Sequence, residues 1–312
     1  MNWLHDYDED LRIVFDECRR MISQFPAPVK NQGLSYLDHF NVFVKDSHKN
    51  YICYLLPFWF KESCQLTAMD CRQMSIGNVY LMLYFFIQDD LMDTPATSAS
   101  ATLPLANLLY IEFLNIYRTY FPGKAPFWDY FNRYISEWAE SVSNEKTQDY
   151  FRSESVKVAH KASPLKLSST AVLLLSGRDS LITQSEEMLE YVLLTLQMLD
   201  DYEDWEEDLE DGNYNCLLSL ARQGLSGDNN DEDKLTPAEV KDFMYTSSGL
   251  VSYAQLALTH HTRLLSYTLK VPQLLDFHLF LTTNLQQIST AIESEKKLLQ
   301  NGGLLYWLSK NS

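Results

Sequence analysis

The sequence predicts an all-α fold, a single-domain bundle of ten or more helices spanning residues 1–312. Three observations predict it. Apolar residues recur at three- and four-residue spacing along almost the whole chain. Only 10 Gly and 10 Pro occur in 312 residues, too few for the tight turns of a β-sandwich or barrel. No stretch alternates apolar and polar residues between turn signals. Hydrophobic residues make up 46% of the chain, enough to fill a large core. No internal repeat and no long linker divides it.

The elements follow in order. Residues 3–24 place Leu4, Leu11, Val14, Phe15, Cys18 and Ile22 on one helical face, and Pro26 and Pro28 end the segment. Residues 34–46 and 50–66 read as helices, the second kinked at Pro57. Residues 71–92 form a long apolar helix, and 93–100 a polar loop. Residues 103–120 and 126–148 are helices separated by Pro122-Gly123-Lys124-Ala125-Pro126. Residues 150–163 and 165–176 read as a helix interrupted at Pro164. Residues 185–210 form a long helix with an acidic second half, stopped near Gly212. A short helix at 214–223 precedes a solvated loop at 224–237. Helices 237–269 and 273–300 are split by Pro272.

Charge and cysteine content narrow the function classes. A net charge of −17 argues against nucleic-acid binding and against docking on anionic lipid. Five cysteines (18, 53, 64, 71 and 216) form no Cys-x-x-Cys pair, which points to a reducing compartment. The acidic N-terminus lacks the basic–apolar pattern of a signal peptide. The longest apolar runs, 51–60 and 79–87, fall short of the ~20 residues of a membrane helix. The expectation is a cytoplasmic protein with no nucleic-acid partner and no stable membrane insertion.

Two acidic clusters carry the chemistry. The first, Asp89-Asp90-Leu91-Met92-Asp93, ends the apolar helix 71–92. At helical spacing Asp89 and Asp93 continue the face of Met82, Phe85 and Phe86 one and two turns earlier. A surface helix would put its acids opposite its apolar stripe. Acids at a helix C-terminus also oppose the helix dipole, and a bound cation would offset that cost.

The second cluster runs from Gln197 to Asp208. Read as one helix, it has three faces. Gln197, Asp200, Asp201, Asp204 and Asp208 share one of them. Met198, Tyr202, Trp205 and Leu209 form an apolar face. Glu203, Glu206, Glu207 and Glu210 form a third, solvated face. Short carboxylates at i, i+4 and i+8 can converge on hard cations such as Mg2+, which binds through a few carboxylates plus phosphate oxygens. A di-iron site would want Glu-x-x-His pairs, and none occurs. His260 and His261, adjacent in sequence, point to different helix faces and read as core or surface rather than as ligands.

These clusters resemble the motifs of the class I isoprenoid synthase superfamily. Asp89-Asp90-Leu91-Met92-Asp93 matches its first aspartate-rich motif. Gln197-x-x-Asp200-Asp201-x-x-Asp204 is similar to the second motif of trans-prenyl diphosphate synthases. Asp200 to Asp204 also reads as the D-x-x-E-D of squalene and phytoene synthases. Asp200, Asp204 and Asp208 occupy the positions of the terpene cyclase metal triad. Lys161, opening Lys-Ala-Ser-Pro-Leu, is similar to the lysine that holds the diphosphate in prenyl synthases, with Ala162 in place of Thr. The resemblance implies a helical bundle around a central active-site cavity. It also implies a homodimer and Mg2+ ions, about three, held with the substrate diphosphate. Asp89, Asp90, Asp93, Asp200 and Asp204 would then be catalytic, with Asp89, Asp93, Asp200, Asp204 and Asp208 as metal ligands. Lys161, Gln197, Met82, Tyr84, Phe85 and Phe86 would bind substrate, with Tyr80 a further wall candidate.

The departures matter. Prenyl synthases carry an Arg pair soon after the first motif and a Gly-Gly-Lys…Arg segment near the N-terminus, for a second diphosphate. Here no basic residue follows Asp93 until Arg118, and the N-terminal candidate, Lys30-Asn31-Gln32-Gly33, has one cation. A second diphosphate in an Asp-lined site without cations is costly. The expected activity is therefore a terpene synthase (lyase) that ionises one linear prenyl diphosphate, whose cation cyclises or loses a proton. Phe85 and Tyr84 lie about 6–8 Å below Asp89 at ~1.5 Å per residue. A C15 chain must fold back above them, which favours farnesyl diphosphate, then geranylgeranyl diphosphate. A prenyltransferase joining two diphosphates, head-to-tail or head-to-head, is the alternative reading. A non-catalytic helical partner of a synthase is the third.

Overall fold

The computed structural model describes residue 4 and residues 6–93, 102–145, 147–225, 235–245 and 248–311. The polar loops expected at 93–100 and 224–237 fall largely outside the described residues. The described residues hold helices and no strand. They form two compact units, each drawn from several stretches of chain: Met1–Ser136, Ser163–Glu186 and Leu269–Leu274 in the first, Glu137–Ala162, Glu187–Thr268 and Leu275–Ser312 in the second.

The first unit contains α1 (Asp8–Ile22), α2 (Val29–Phe40), α3 (Tyr51–Cys64), α4 (Ala68–Asp93) and α5 (Leu103–Tyr120). It also holds the start of α6 (Phe127–Asn144). A four-residue helix in the second unit is α7 (Tyr150–Ser153), and α8 (Lys166–Leu175) returns to the first. The expected face of α1 is its buried face: Leu11, Val14, Phe15, Cys18 and Ile22. α2 starts five residues earlier than its apolar spacing suggests, with Pro28 as the cap residue. It stops at Phe40, where Asn41 turns extended. α3 passes through Pro57 unbroken.

α4 is the centre of this unit and packs against α1, α3, α5 and α8. It is apolar on nearly all sides, as a helix enclosed by others must be. One polar residue in its buried part, Asn78, ties it to two neighbours. Tyr117 Oη of α5 donates to Asn78 Oδ1 at 2.8 Å, and Asn78 Nδ2 donates to Ser168 Oγ of α8 at 2.9 Å. Gly77 lets α5 come close: a Cβ there would stand 2.7 Å from the Tyr117 ring. Elsewhere in the unit Lys166 is buried, with Nζ 5.0 Å from the centre of the Tyr134 ring. The Tyr134 hydroxyl meets Thr170 Oγ1 at 2.8 Å and donates to Glu186.

The second unit is built on α9 (Ile182–Glu203), α10 (Trp205–Asp211), α11 (Cys216–Leu225), α12 (Pro237–Tyr245), α13 (Gly249–Ser266) and α14 (Pro272–Asn311). α11 is its hub, in contact with α7, α10, α12 and α13. Three features differ from the sequence reading. Residues 155–165 wind as a 3-10 segment, with Ala162 out of helical geometry just before Pro164. The helix expected at 185–210 breaks at Asp204, whose φ of −106° and ψ of 8° leave the helical region. The helix expected at 237–269 is two, because Ser248 adopts a left-handed φ of 57°.

His260 and His261 belong to the core, and His278 of α14 joins them there. His260, His261 and His278 are all buried and converge. Thr195 Oγ1 of α9 joins His278 Nε2 at 2.9 Å and His260 Nδ1 at 3.3 Å, and His261 Nδ1 meets His278 Nδ1 at 3.0 Å. Burial lowers all three from the usual imidazole value, His260 to about 4 and His278 to about 3. They stay neutral when folded and charge near pH 6.5 when unfolded, so stability falls as the pH drops below that value.

Two predictions follow from this packing. Gly77→Ala should cost about 1–3 kcal/mol, read by urea unfolding, because the Tyr117 ring must move. His278→Gln should flatten the pH dependence of unfolding between pH 6.5 and 4 relative to wild type. An unchanged slope would show that His278 is not held neutral.

Candidate functional site

In the first unit, Asp89 and Asp90 are exposed at the last turn of α4. Asp93 closes that helix, and its side chain lies outside the described part. Tyr36 Oη of α2 donates to Asp90 Oδ2 at 2.9 Å. Burial, then the charges of Asp90 and Asp89, raise the Tyr36 phenol well above its usual value, so it remains a proton donor. Below the acids, Tyr84, Phe85 and Phe86 are each half-buried. Tyr84 stacks on Tyr110 of α5 with centroids 4.7 Å apart, and Phe86 packs on Phe40 of α2 at 4.9 Å. Met82 and Tyr80 are fully buried, and the Tyr80 hydroxyl lies 3.3 Å from the Cys18 carbonyl. They are core of this unit, whereas the three half-buried rings form a partly open aromatic wall.

In the second unit, the acids of the second motif divide. Asp201 is buried at 3% exposure. Its Oδ2 accepts the Cys216 backbone N–H at 2.6 Å, and its Oδ1 accepts Gln197 Nε2 at 2.6 Å. Cys216 begins α11, so the carboxylate caps a helix N-terminus, where the dipole favours an anion. Asp208 Oδ2 accepts Asn215 Nδ2 at 2.8 Å. Asp200 and Asp204 are exposed and, among the described residues, their carboxylates accept no side-chain hydrogen bond. The surrounding protein, then the charges of Asp201, Asp204 and Glu203, push Asp200 up to about 6, with Lys161 acting in the opposite sense. Lys161 sits in the 3-10 segment and pairs with Glu145. Burial raises Asp201 above the usual carboxylate value, and its bonds from Cys216 and Gln197 and the charge of Lys161 oppose that rise.

No protein-family model and no curated protein matches the sequence. Solved structures do. The geranylgeranyl pyrophosphate synthetase of the archaeon Geoglobus acetivorans aligns over 90% of this chain and 98% of its own, at 16% identity and a TM-score of 0.62. The chain has the isoprenoid synthase fold. On that fold, the structure joins Asp200, Asp201, Asp204 and Asp208 with Gln197 and Lys161 in one unit, and Asp89 and Asp90 with the ring wall in the other. Gln197 bonds Asp201, one turn on along the face that the two share. Sequence reasoning missed Tyr36 and Asn215, which hold one carboxylate of each motif.

The donor set fits Mg2+. Asp200 and Asp204 offer hard oxygen atoms, and Asp200 is destabilised in its charged form by its neighbours, a cost that a cation removes. Among the described residues no group of three or more His, Cys, Asp or Glu side chains could hold an ion. Mg2+ needs only one or two carboxylates when phosphate oxygens and water complete its shell.

Because Asp200 is raised, its ionisation costs the folded state stability, a cost absent below about pH 4 and fully felt above about pH 6. Asp200→Asn should therefore match or exceed wild-type thermal stability in metal-free protein at pH 7, with the advantage gone by pH 4. In wild type, the affinity for Mg2+ with inorganic diphosphate, measured by calorimetry, should fall up to about tenfold per pH unit below pH 6. Flat affinity between pH 5 and 7 would show that Asp200 is not a ligand.

Proposed function

We propose that the chain is a Mg2+-dependent enzyme that ionises an allylic prenyl diphosphate. The observation that carries the reading is the exposed pair Asp200 and Asp204 where α9 passes into α10. Lys161 stands close enough for its charge to bear on Asp200. Asp89 and Asp93 of the first motif and Asp200 and Asp204 of the second would hold Mg2+, which would supply Lewis-acid assistance to the departing diphosphate. Lys161 would draw on the same leaving group. The ring faces of Tyr84, Phe85 and Phe86 would stabilise the allylic cation by ~0.5–2 kcal/mol each, more as water is excluded.

The step after ionisation has two readings. The fold likeness is to an enzyme named for making a prenyl diphosphate, and it supports prenyl transfer better than cyclisation. The side chains of the first unit favour a lyase acting on one diphosphate, with farnesyl diphosphate first and geranylgeranyl diphosphate next. α2 gives Asp90 a tyrosine hydroxyl, not a cation. Tyr117 contacts Gly77 and Asn78, so Arg118 stands level with the middle of α4. That is about 18 Å along the axis from Asp89 at ~1.5 Å per residue.

Gas chromatography–mass spectrometry of products decides between them. Each of the C10, C15, C20 and C25 diphosphates is given with Mg2+, alone and then with isopentenyl diphosphate. Hydrocarbon or alcohol from a single diphosphate identifies a lyase. Longer diphosphates only in the mixtures identify prenyl transfer. No product in any arm, or full turnover by Asp89→Ala, would sink the proposal.

A further inference from the structure

The Asn215 side chain is buried at 1% exposure and uses its whole hydrogen-bonding capacity. Its Oδ1 accepts the backbone N–H groups of Leu217 at 2.9 Å and Leu218 at 3.1 Å, capping α11. Its Nδ2 donates to the Asp201 carbonyl at 2.7 Å and to Asp208 Oδ2 at 2.8 Å. One side chain thus fastens the end of α9, the middle of α10 and the start of α11 together. Asp201 strengthens the joint from the other side through Cys216 N–H.

A joint of this kind answers a physical problem. Asp200, Asp201, Glu203, Asp204, Glu206, Glu207 and Asp208 fall within nine residues. Their mutual repulsion would splay a helix end. The chain leaves helical φ and ψ at Asp204 although the backbone bonds on either side persist, so helix continuity alone does not fix where the exposed acids stand. Tertiary bonds complete the fixing.

We infer that Asn215 and Asp208 are a positioning pair: Asp208 is not a third metal ligand but the acceptor through which Asn215 holds Asp200 and Asp204 in place. The inference rests on the Mg2+–diphosphate reading of that cluster. It makes Asp208 replaceable by an isostere that accepts the same hydrogen bond, which a ligand is not. It makes Asn215 sensitive to loss of its donor even when its cap is kept.

The test uses the thermal shift produced by Mg2+ with inorganic diphosphate, a readout independent of turnover. Asp208→Asn keeps an acceptor for Asn215 and should leave the Mg2+ midpoint of the shift within a few-fold of wild type. Asn215→Asp keeps the helix cap but sets one carboxylate against another. It should raise the midpoint about tenfold or more, the usual loss on removing an outer partner of a metal site. The double variant N215D/D208N restores the bond with its partners exchanged and should recover most of that loss. Loss of the shift in Asp208→Asn would make Asp208 a ligand and overturn the inference, whether or not Asn215→Asp folds. So would an unchanged midpoint in Asn215→Asp, or no recovery in the double variant. Absence of any shift in wild type would overturn the Mg2+–diphosphate reading as well, which separates the two failures.

Discussion

Carboxylates gathered at the C-terminal end of a helix repel one another and oppose the helix dipole, and both motifs of this chain depend on how that repulsion is met. Each unit answers by tying part of its set to the protein. In the first, a tyrosine phenol engages Asp90. In the second, the N-terminus of α11 and Gln197 take Asp201, while Asn215 takes Asp208. Asp200 and Asp204 are left without such a tie, and the surrounding protein first, then the neighbouring acids, raise the Asp200 carboxyl. Anchoring and exposure are therefore linked. The engaged acids fix the backbone, and the fixed backbone keeps the exposed acids from moving apart.

The hub helices were legible in the sequence because enclosure writes a strong signal. α5 runs from Leu103 to Tyr120 as its spacing predicts, and the buried face of α1 is the face its apolar residues define. The breaks were not legible. At Asp204 the acidic run keeps helical periodicity, and the backbone bonds Asp204 N to Asp200 O and Asp208 N to Asp204 O persist at 3.0 Å, so one residue alone leaves the pattern. At Ser248 the turn forms without a Pro or an Asn-Gly signal. It is stabilised by close packing of Gly249 on Phe243, where a Cβ would come within 2.3 Å of the ring. That contact joins two consecutive helices, and helical periodicity does not reveal it.

The site was legible in its acids and only partly in their neighbours. Periodicity places Met82, Phe85 and Phe86 on one face below Asp89, yet it does not say whether a face meets core or open space. Burial divides them, with Met82 enclosed and the two phenylalanines half-open. Asn215 carried a readable signal, an Asn just before the apolar run Cys-Leu-Leu-Ser-Leu, which marks a helix cap. Its second task, reaching back to Asp208 and Asp201, follows from the return of the chain at Gly212, whose φ of 73° turns α10 toward α11. The convergence of three histidines on Thr195 was hidden for the same reason, since two helices supply the rings and a third the hydroxyl.

A shared fold and a shared reaction are separate claims, because one scaffold carries many chemistries. At 16% identity the likeness to a prenyl diphosphate synthetase speaks to the path of the chain. The choice of reaction rests on charge. Holding a second diphosphate beside the first motif requires cations that can reach it. In the first unit Tyr36 donates to Asp90, and Arg118 of α5 stands level with the middle of α4. Cation placement is fixed by helix packing: the Gly77–Tyr117 contact that draws α5 against α4 also sets the height of Arg118.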